Sequence, residues 1–379
     1  MFIQNSYQTS FDADVVSCEE VKGNYHIILS DTCFYPEGGG QPCDLGTLDD
    51  AEVIDVRRKG DAVIHVVRKP LAGRVHGEID WQRRFDHMQN HTGEHIVSGL
   101  IHQAFGYENV GFHMGDVIQI DFNGPLSDKD VHDIEARANR IIWNNQKVKE
   151  VFPDHPDEWE YRSKKELSGK IRLIVIDNAD VCACCGTHCA YTGEVGIIKI
   201  LSCVKHKNGV RLEMLAGRRA YEWLDRVQQE NTKISVLLAA KRHETAAAVE
   251  RVLEASGQMK KKLNDMTLSL LGERVSGFAG KEHVIDFLDD IDRNVLRKYV
   301  NDLKEARDGY AAVFFGHDET WNYIIAAKTL DARKPLKAFN AAVNGRGGGS
   351  AEMVQGSVNA SSAAIRAAFE REFLAGKQA

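Results

Sequence analysis

At 379 residues, with 43% apolar and 27% charged residues, the chain has material for two or three domains with real cores. No apolar run approaches bilayer length, and the start MFIQNSYQTSFDADVV lacks a basic segment followed by an apolar one. Neither a membrane-spanning helix nor a secretory leader is therefore expected, and a cytoplasmic address is. The formal net charge of −7 gives no whole-chain attraction for nucleic acid, so such a partner needs a local basic face; Arg83 with Arg84, Arg218 with Arg219, 205–207 and 260–262 are candidates.

The first 85 residues read as β-rich, with the short alternating runs YHIILS, AEVIDVRR and DAVIHVVR broken by turn residues. Between them, FYPEGGGQPCDLG carries three consecutive glycines that do not fit inside a helix or a central strand. Over 86–106 the period changes: Ile96, Leu100, Ile101 and Phe105 recur at helical spacing. A second helix is expected over 128–147, a strand over 171–177, and a strand-like alternating segment over 194–206. Residues 220–272 are proline-free and rich in Ala, Glu, Lys, Leu and Gln, which predicts one long helix or a helical pair. Within it Val249, Val252, Met259, Leu263, Met266 and Leu270 form a heptad seam interrupted only by Ser256. SGFAGKEH ends this region as a linker. Strand and helix then alternate through HVIDFL, a helix over 294–307, AAVFFG, NYIIAAK, a helix near 336–343, the GRGGGS loop and a last helix from about 361.

The chemistry concentrates in two short motifs. HTGEH places His91 and His95 on one helical face, one turn apart. CCGTH supplies a second pair, with a glycine that permits a tight loop around an ion. Five of the eight cysteines (Cys182, Cys184, Cys185, Cys189 and Cys203) crowd this second region, which in a reducing compartment favours metal binding over disulfides. Thiolate with imidazole suits one Zn²⁺ per chain. The motif is not that of a zincin protease, because Glu94 precedes the second histidine instead of following the first. Cys182, Cys185 and Cys189 compete with Cys184 as ligands. A four-cysteine structural knuckle is the plain alternative, though CxCCxxxC lacks a second, separated pair.

HTGEH followed far downstream by C-x-G-T-H-x-x-x-T-G-E-V-G resembles the editing domain of alanyl-tRNA synthetase and its free-standing relatives, the AlaX-type editing proteins. FYPEGGGQPCDLG resembles the glycine-rich motif of that family's N-terminal barrel, RRFDHMQNHTGEH the run into the first metal pair, and GRGGGSAEMVQGS the signature of the domain that follows editing in the synthetase. No aminoacylation domain fits ahead of residue 1, so a long, stand-alone editing form is expected rather than the synthetase. The fold implied is α+β: an N-terminal β-barrel-like domain (1–85), an α/β zinc editing domain (86–219), a long helical linker and possible coiled coil (220–276), and a small C-terminal α/β domain for tRNA binding and dimerisation (277–379).

The resemblance also implies roles. His91, His95, Cys184 and His188 are the metal ligands by family register, although Cys185 replaces the family's first glycine here and offers an adjacent thiol. The reaction implied is hydrolysis, without ATP, of the ester on tRNA(Ala) mischarged with serine, with glycine the further candidate. The logic is a double sieve: an apolar pocket rejects an added hydroxyl poorly, so a second site must recognise it. Thr32 and Gln41 match family residues of that pocket; Gly38, Gly39 and Gly40 shape its entrance; Arg346, in a flexible loop, suits RNA backbone contact. Glu94 is a candidate catalytic helper. Four protein ligands resemble a closed structural site, whereas activation of bound water needs an open position. Either one ligand is displaced, or the metal positions substrate while water is activated elsewhere. A homodimer through the helical linker or the C-terminal domain is expected. The alternatives are a non-catalytic zinc-containing tRNA-binding protein and a threonyl-tRNA editing relative.

Overall fold

The computed structural model describes residues 5–163, 171–289, 291–317 and 319–374. Internal contacts divide the chain into two units, Met1–Lys233 and Ile234–Ala379. The mixed α+β class expected from sequence holds in both.

The first unit opens with a closed barrel. Its strands are β1 (Ser10–Val21), β2 (Asn24–Leu29), β3 (Gly46–Leu48), β4 (Ala51–Lys59), β5 (Ala62–Val67) and β6 (Arg74–Ile79), paired in the order β1-β2-β5-β4-β3-β6 with β6 returning to β1. In β6 every second residue is buried, so alternation in sequence becomes an inside and an outside of the barrel. Ile27, Leu48, Val53, Val67 and Val75 fill the interior.

Helix α1 (Trp81–Phe105) follows directly and forms the axis of the rest of the unit. It starts five residues before the expected 86–106, because the Asp80 side chain caps it by accepting from Arg83 N at 3.1 Å. The first turn, WQRR, carries one apolar residue in four and gives a periodicity argument little to find. Gly106 (φ 71°) closes the helix. Next come β7 (Asn109–Met114), β8 (Ile118–Phe122) and α2 (Asp128–Trp143), the last begun by a Ser127/Asp130 capping box. It stops short of 147, since Asn145 turns to φ 47°. Strands β9 (Val148–Val151), β10 (Leu173–Ile176) and β11 (Asp180–Ala183) make a three-stranded sheet, and β12 (Ile198–His206) and β13 (Gly209–Ala216) join β8 and β7 in a four-stranded one. The expected 194–206 strand begins only at Ile198, after a 3-10 turn over Thr192–Val195 and Gly196 at φ 77°. Ile96, Leu100, Ile134, Ile141, Ile120 and Met214 share one core between α1, α2 and the four-stranded sheet.

Segment 220–272 proves to be the helical pair: α3 (Gly217–Leu237) and α4 (Thr245–Gly277), with Ala239 at φ 48° between them. The second unit continues with β14 (Val284–Leu288), α5 (Arg293–Glu305), β15 (Tyr310–His317), β16 (Thr320–Ala327), α6 (Arg333–Ala342), β17 (Arg346–Gly349), β18 (Met353–Asn359) and α7 (Ser362–Phe369). Its sheet runs β14-β15-β16-β18-β17, parallel at β14–β15 and otherwise antiparallel. Val313 and Ile324 pack with α5 on one face; Phe314 and Tyr323 pack with α6 and α7 on the other. The expectation of a flexible loop at Arg346 is corrected: 346–349 is an edge strand paired with β18. Glycines read as loop because they bring no side chain to a strand. Here a Cβ at Gly347 would stand 2.2 Å from the Tyr323 hydroxyl, so the strand pairs only with glycine at that point.

Candidate metal centre

The centre forms where α1 passes beneath the loop that follows β11. His91 and His95, one turn apart on α1, meet His188 and Cys184 of that loop. One donor atom from each of the four lies within 4.8 Å of the other three. The imidazole centroids are 5.2 Å apart for His91 and His95, 4.5 Å for His91 and His188, and 4.7 Å for His95 and His188. Cys184 Sγ is 3.5 Å from His91 Nε2 and 3.3 Å from His188 Nε2. All three histidines are buried.

Each imidazole is held from behind at Nδ1. His91 Nδ1 donates to Gln41 Oε1 at 2.8 Å, and His95 Nδ1 donates to Asp180 Oδ2 at 2.9 Å. The Thr92 hydroxyl lies 3.4 Å from His188 Nδ1 and accepts from Cys189 N. With Nδ1 engaged, Nε2 is the nitrogen that faces Cys184, where a bound cation would take the place of a second proton, the arrangement typical of metal-binding histidines. The donor set of three imidazoles and one thiol fits a borderline-soft divalent ion such as zinc.

The electrostatics point the same way. Burial raises the Cys184 thiol, but the imidazoles of His91, His188 and His95 around it outweigh burial and hold the group well below an ordinary thiol, while burial holds His188 well below an ordinary imidazole. Burial also opposes charge on His95, yet the Cys184 thiolate and Asp180 bring it up to about 9. Burial pushes Cys182 well up, and Cys189 up to about 12. Cys182 lies with His95 and Asp180 in a second group of donors, and Cys185 is exposed. Among the described residues Cys182, Cys185 and Cys189 do not gather with Cys184, which overturns the four-cysteine knuckle.

Two remote sequence motifs are joined to build this floor. Arg84, fully buried, pairs with the equally buried Asp44 and donates to the carbonyls of Ser6 and Cys33 at 2.7 Å. Asp44 also accepts from Tyr35 N at 2.6 Å, so the 33–44 segment is strapped to the first turn of α1. Within that segment Gly40 (φ 85°) passes so close to β7 that a Cβ would stand 2.4 Å from the Phe112 ring. Gly186 has the same kind of reason at the ligand loop: a Cβ there would lie 2.2 Å from the His91 ring.

The other residues expected at the site lie as follows. Gln41 is fully buried; its Oε1 accepts from His91 and from Thr187 N, and its Nε2 donates to Thr187 Oγ1. Its polar atoms thus face the ligand histidine. Gly38 bridges to Gln41, and Gly39 turns at φ 60°. Thr32 is 6% exposed; its hydroxyl lies 2.8 Å from His65 Nε2 and accepts from Phe34 N. Glu94 is fully buried and accepts from Ser98 Oγ at 2.6 Å and Asn109 Nδ2 at 2.7 Å. Arg346 belongs to the second unit. Asp180, Arg162, Thr92 and Thr187 were not anticipated. Arg162 grips Asp180 with bonds of 2.8 and 2.9 Å, so the carboxylate behind His95 is itself fixed. A carboxylate at the head of the short strand DVCA, four residues before Cys184, was the available signal.

Residues 171–213 match the family model described as the threonyl and alanyl tRNA synthetase second additional domain, and 280–373 match the DHHA1 domain. The chain is 32% identical over 282 residues to the alanyl-tRNA editing protein Aarsd1 of Mus musculus, covering 68% of each. It is 27% identical over 393 residues to the alanyl-tRNA editing protein AlaX-L of Pyrococcus horikoshii, covering 95% of this chain and 94% of that one. Alanine–tRNA ligase of Ignicoccus hospitalis is 29% identical over 372 residues, which take in 92% of this chain but 40% of the ligase. A second additional domain followed by DHHA1 defines the class, shared with the synthetase. Within it, the chain belongs to the alanyl-tRNA editing protein family.

Proposed function

We propose that the protein is a zinc-dependent hydrolase that cleaves the ester of tRNA(Ala) mischarged with serine, and of Gly-tRNA(Ala) as the further substrate. The observation that carries this reading is the cluster of His91, His95, His188 and Cys184, with partners at Nδ1 of the histidines, in a member of the editing family. A zinc ion bound there supplies Lewis acidity toward an ester or an amino group. Gln41 and Asp180 hold the rings of His91 and His95 in place, and Arg162 fixes Asp180.

Thr32 supports the choice of serine. His65 Nδ1 donates to the Ile27 carbonyl at 3.2 Å, so His65 Nε2 accepts the Thr32 hydroxyl proton. One Thr32 lone pair takes Phe34 N–H, and the other remains to accept from a seryl hydroxyl, a bond alanine cannot make. Gln41 and the 38–40 turn shape the pocket through the backbone. Glu94, whose Oε1 accepts from Ser98 and Asn109, remains the candidate catalytic helper of this reading. The four-domain division, at 85, 219 and 276, remains part of this reading, with the work done in the cytoplasm, where clustered thiols stay reduced. The exposed seam on α4 suits a homodimer.

Deacylation of Ser-tRNA(Ala), Gly-tRNA(Ala), Ala-tRNA(Ala) and Ser-tRNA(Thr) tests the proposal. Zinc-loaded protein is expected to cleave the first well above buffer and to spare Ala-tRNA(Ala). No cleavage of any mischarged species defeats the enzymatic reading and leaves a non-catalytic zinc-containing tRNA binder.

A further inference from the structure

Ahead of the ligand histidines, α1 carries Arg83 and His87 at the same four-residue step, so 83, 87, 91 and 95 follow one another in a slowly turning row. His87 is 1% exposed, and its Nδ1 has no hydrogen-bond partner among the described residues. Buried polar atoms nearly always find a partner, so this one points to a group that the chain does not supply. Burial pushes the His87 imidazole down to about 3, with Arg83, Arg219, His91 and Arg84 adding to it in that order. The ring is therefore neutral, with one N–H to donate.

The two cations that weigh most on His87 are held in place by carbonyls. Arg83, half-buried, donates from Nε to the Cys43 carbonyl at 3.0 Å and has no ion-pair partner among the described residues. Arg219, in the first turn of α3, donates from Nη1 to the Gly115 carbonyl at 2.9 Å and keeps 21% of its side chain exposed. The β13–α3 junction lies across α1 at this level, since Ala216 N donates to Asn90 and Arg218 N to Gln89. Cys43 and Gly115 stand on segments that are themselves joined, because Met114 N donates to the Gly40 carbonyl at 3.1 Å. Nearby acids do not balance the charge. Buried Asp86 takes Arg218 at 3.0 Å and stands 3.8 Å from Arg219, Glu222 also pairs with Arg218, and Asp44 is taken by Arg84. Burial lowers Arg219, and Arg83 and Arg218 add to that against Asp86 and Asp116. An anion here relieves the repulsion and gives the His87 nitrogen a partner.

We infer that Arg83, His87 and Arg219 form a phosphate subsite that takes the 5′-phosphate of the terminal nucleotide whose ester reaches the metal centre. The subsite stands on its own residues, and the identity of its ligand rests on the editing reading. His87 precedes His91 by about 6 Å along the helix axis. One ribose separates the esterified hydroxyl of a terminal nucleotide from its 5′-phosphate, a comparable span. Guanidinium forks match phosphate oxygens, and two of them fixed beforehand lose little freedom on binding.

Titration of the zinc-loaded full chain with AMP and with adenosine tests the subsite without deacylation, so its failure and that of the editing reading are separate results. AMP is expected to bind more tightly by about tenfold or more, because charge-assisted bonds to phosphate carry the difference. In Arg83→Ala and Arg219→Ala the two ligands should converge, whereas Arg219→Lys and His87→Gln should keep part of the gap. Serine esters of AMP and of adenosine should show the same gap in kcat/KM, carried by KM. No preference for AMP in the unaltered protein overturns the proposal. So does a preference that both alanine variants keep, which would place the phosphate elsewhere and leave the arginines as struts to Cys43 and Gly115. A preference in binding with none between cleaved esters would detach the subsite from the metal centre and overturn its ligand.

Discussion

Gln41 shows how one amide holds a candidate metal ligand from behind. Thr187 N can only donate, so Gln41 Oε1 must face it, and the same oxygen then fixes the proton of His91 on Nδ1. Gln41→Ala is expected to leave the four ligands in place yet lower zinc affinity about 10–100-fold, read by competition with a chromophoric chelator. By the same assay Cys184→Ser should lose the metal and Cys185→Ser should keep it; the reverse outcome would move the ligand to the exposed thiol. Helical spacing made the His91 and His95 pair legible in the sequence. Their outer partners were not, because Gln41 lies 50 positions from His91 and Asp180 lies 85 from His95. His65 carries a separate prediction. Burial in the barrel lowers its imidazole from 6.5 to about 4, against the opposing bond to Ile27. Protons then bind the unfolded chain more readily than the folded one, so stability is fully present above pH 6.5 and falls as pH drops toward 4. The loss is about 3 kcal/mol from this group. Thermal melts of chelator-treated protein across that window should show the decline, with a shallower slope in His65→Gln.

At the scale of elements, the barrel and α1 are coupled through Arg84 and Asp44, which no local pattern connects. Arg84→Met strands a buried carboxylate and should cost about 3–5 kcal/mol in denaturant unfolding. Adding Asp44→Leu removes the stranded charge and should recover part of that loss. The RRF and CDLG motifs were visible as resemblance, but why they occur together is answered only by this pair. Helix α4 gives the opposite lesson, since its heptad was legible and its role was not. Val252, Met259, Leu263, Met266 and Leu270 are all more than half exposed. Within its own unit α4 instead packs through Leu268, Leu271 and Val275. Seven-residue spacing of exposed apolar groups suits a second copy of the helix. Light scattering of the full chain should give a dimer mass, and Leu263→Glu a monomer; an unchanged mass would leave the seam without that partner. GRGGGS misled because pairing to β18, which makes it a strand, is a long-range property that composition does not carry.

For the whole molecule, the distribution of ligands decides what metal does to stability. His91, His95, Cys184 and His188 all fall in Met1–Lys233, and they tie α1 to the loop after β11. The sheet of the second unit, with its own cores on both faces, holds none of them. A ligand that binds only the folded form stabilises by RT ln(1 + [L]/Kd), and only the unit that holds it. At a free zinc concentration of about 1,000 Kd that amounts to about 4 kcal/mol for the first unit and nothing for the second. Scanning calorimetry of the zinc-loaded chain is therefore expected to show two transitions. Chelation should move one of them down by several degrees and leave the other in place. Cys184→Ser should reproduce the chelated trace without further response to chelator. Both transitions moving together on chelation would mean that the two units unfold as one body. Neither moving would mean that the cluster contributes no metal-linked stability.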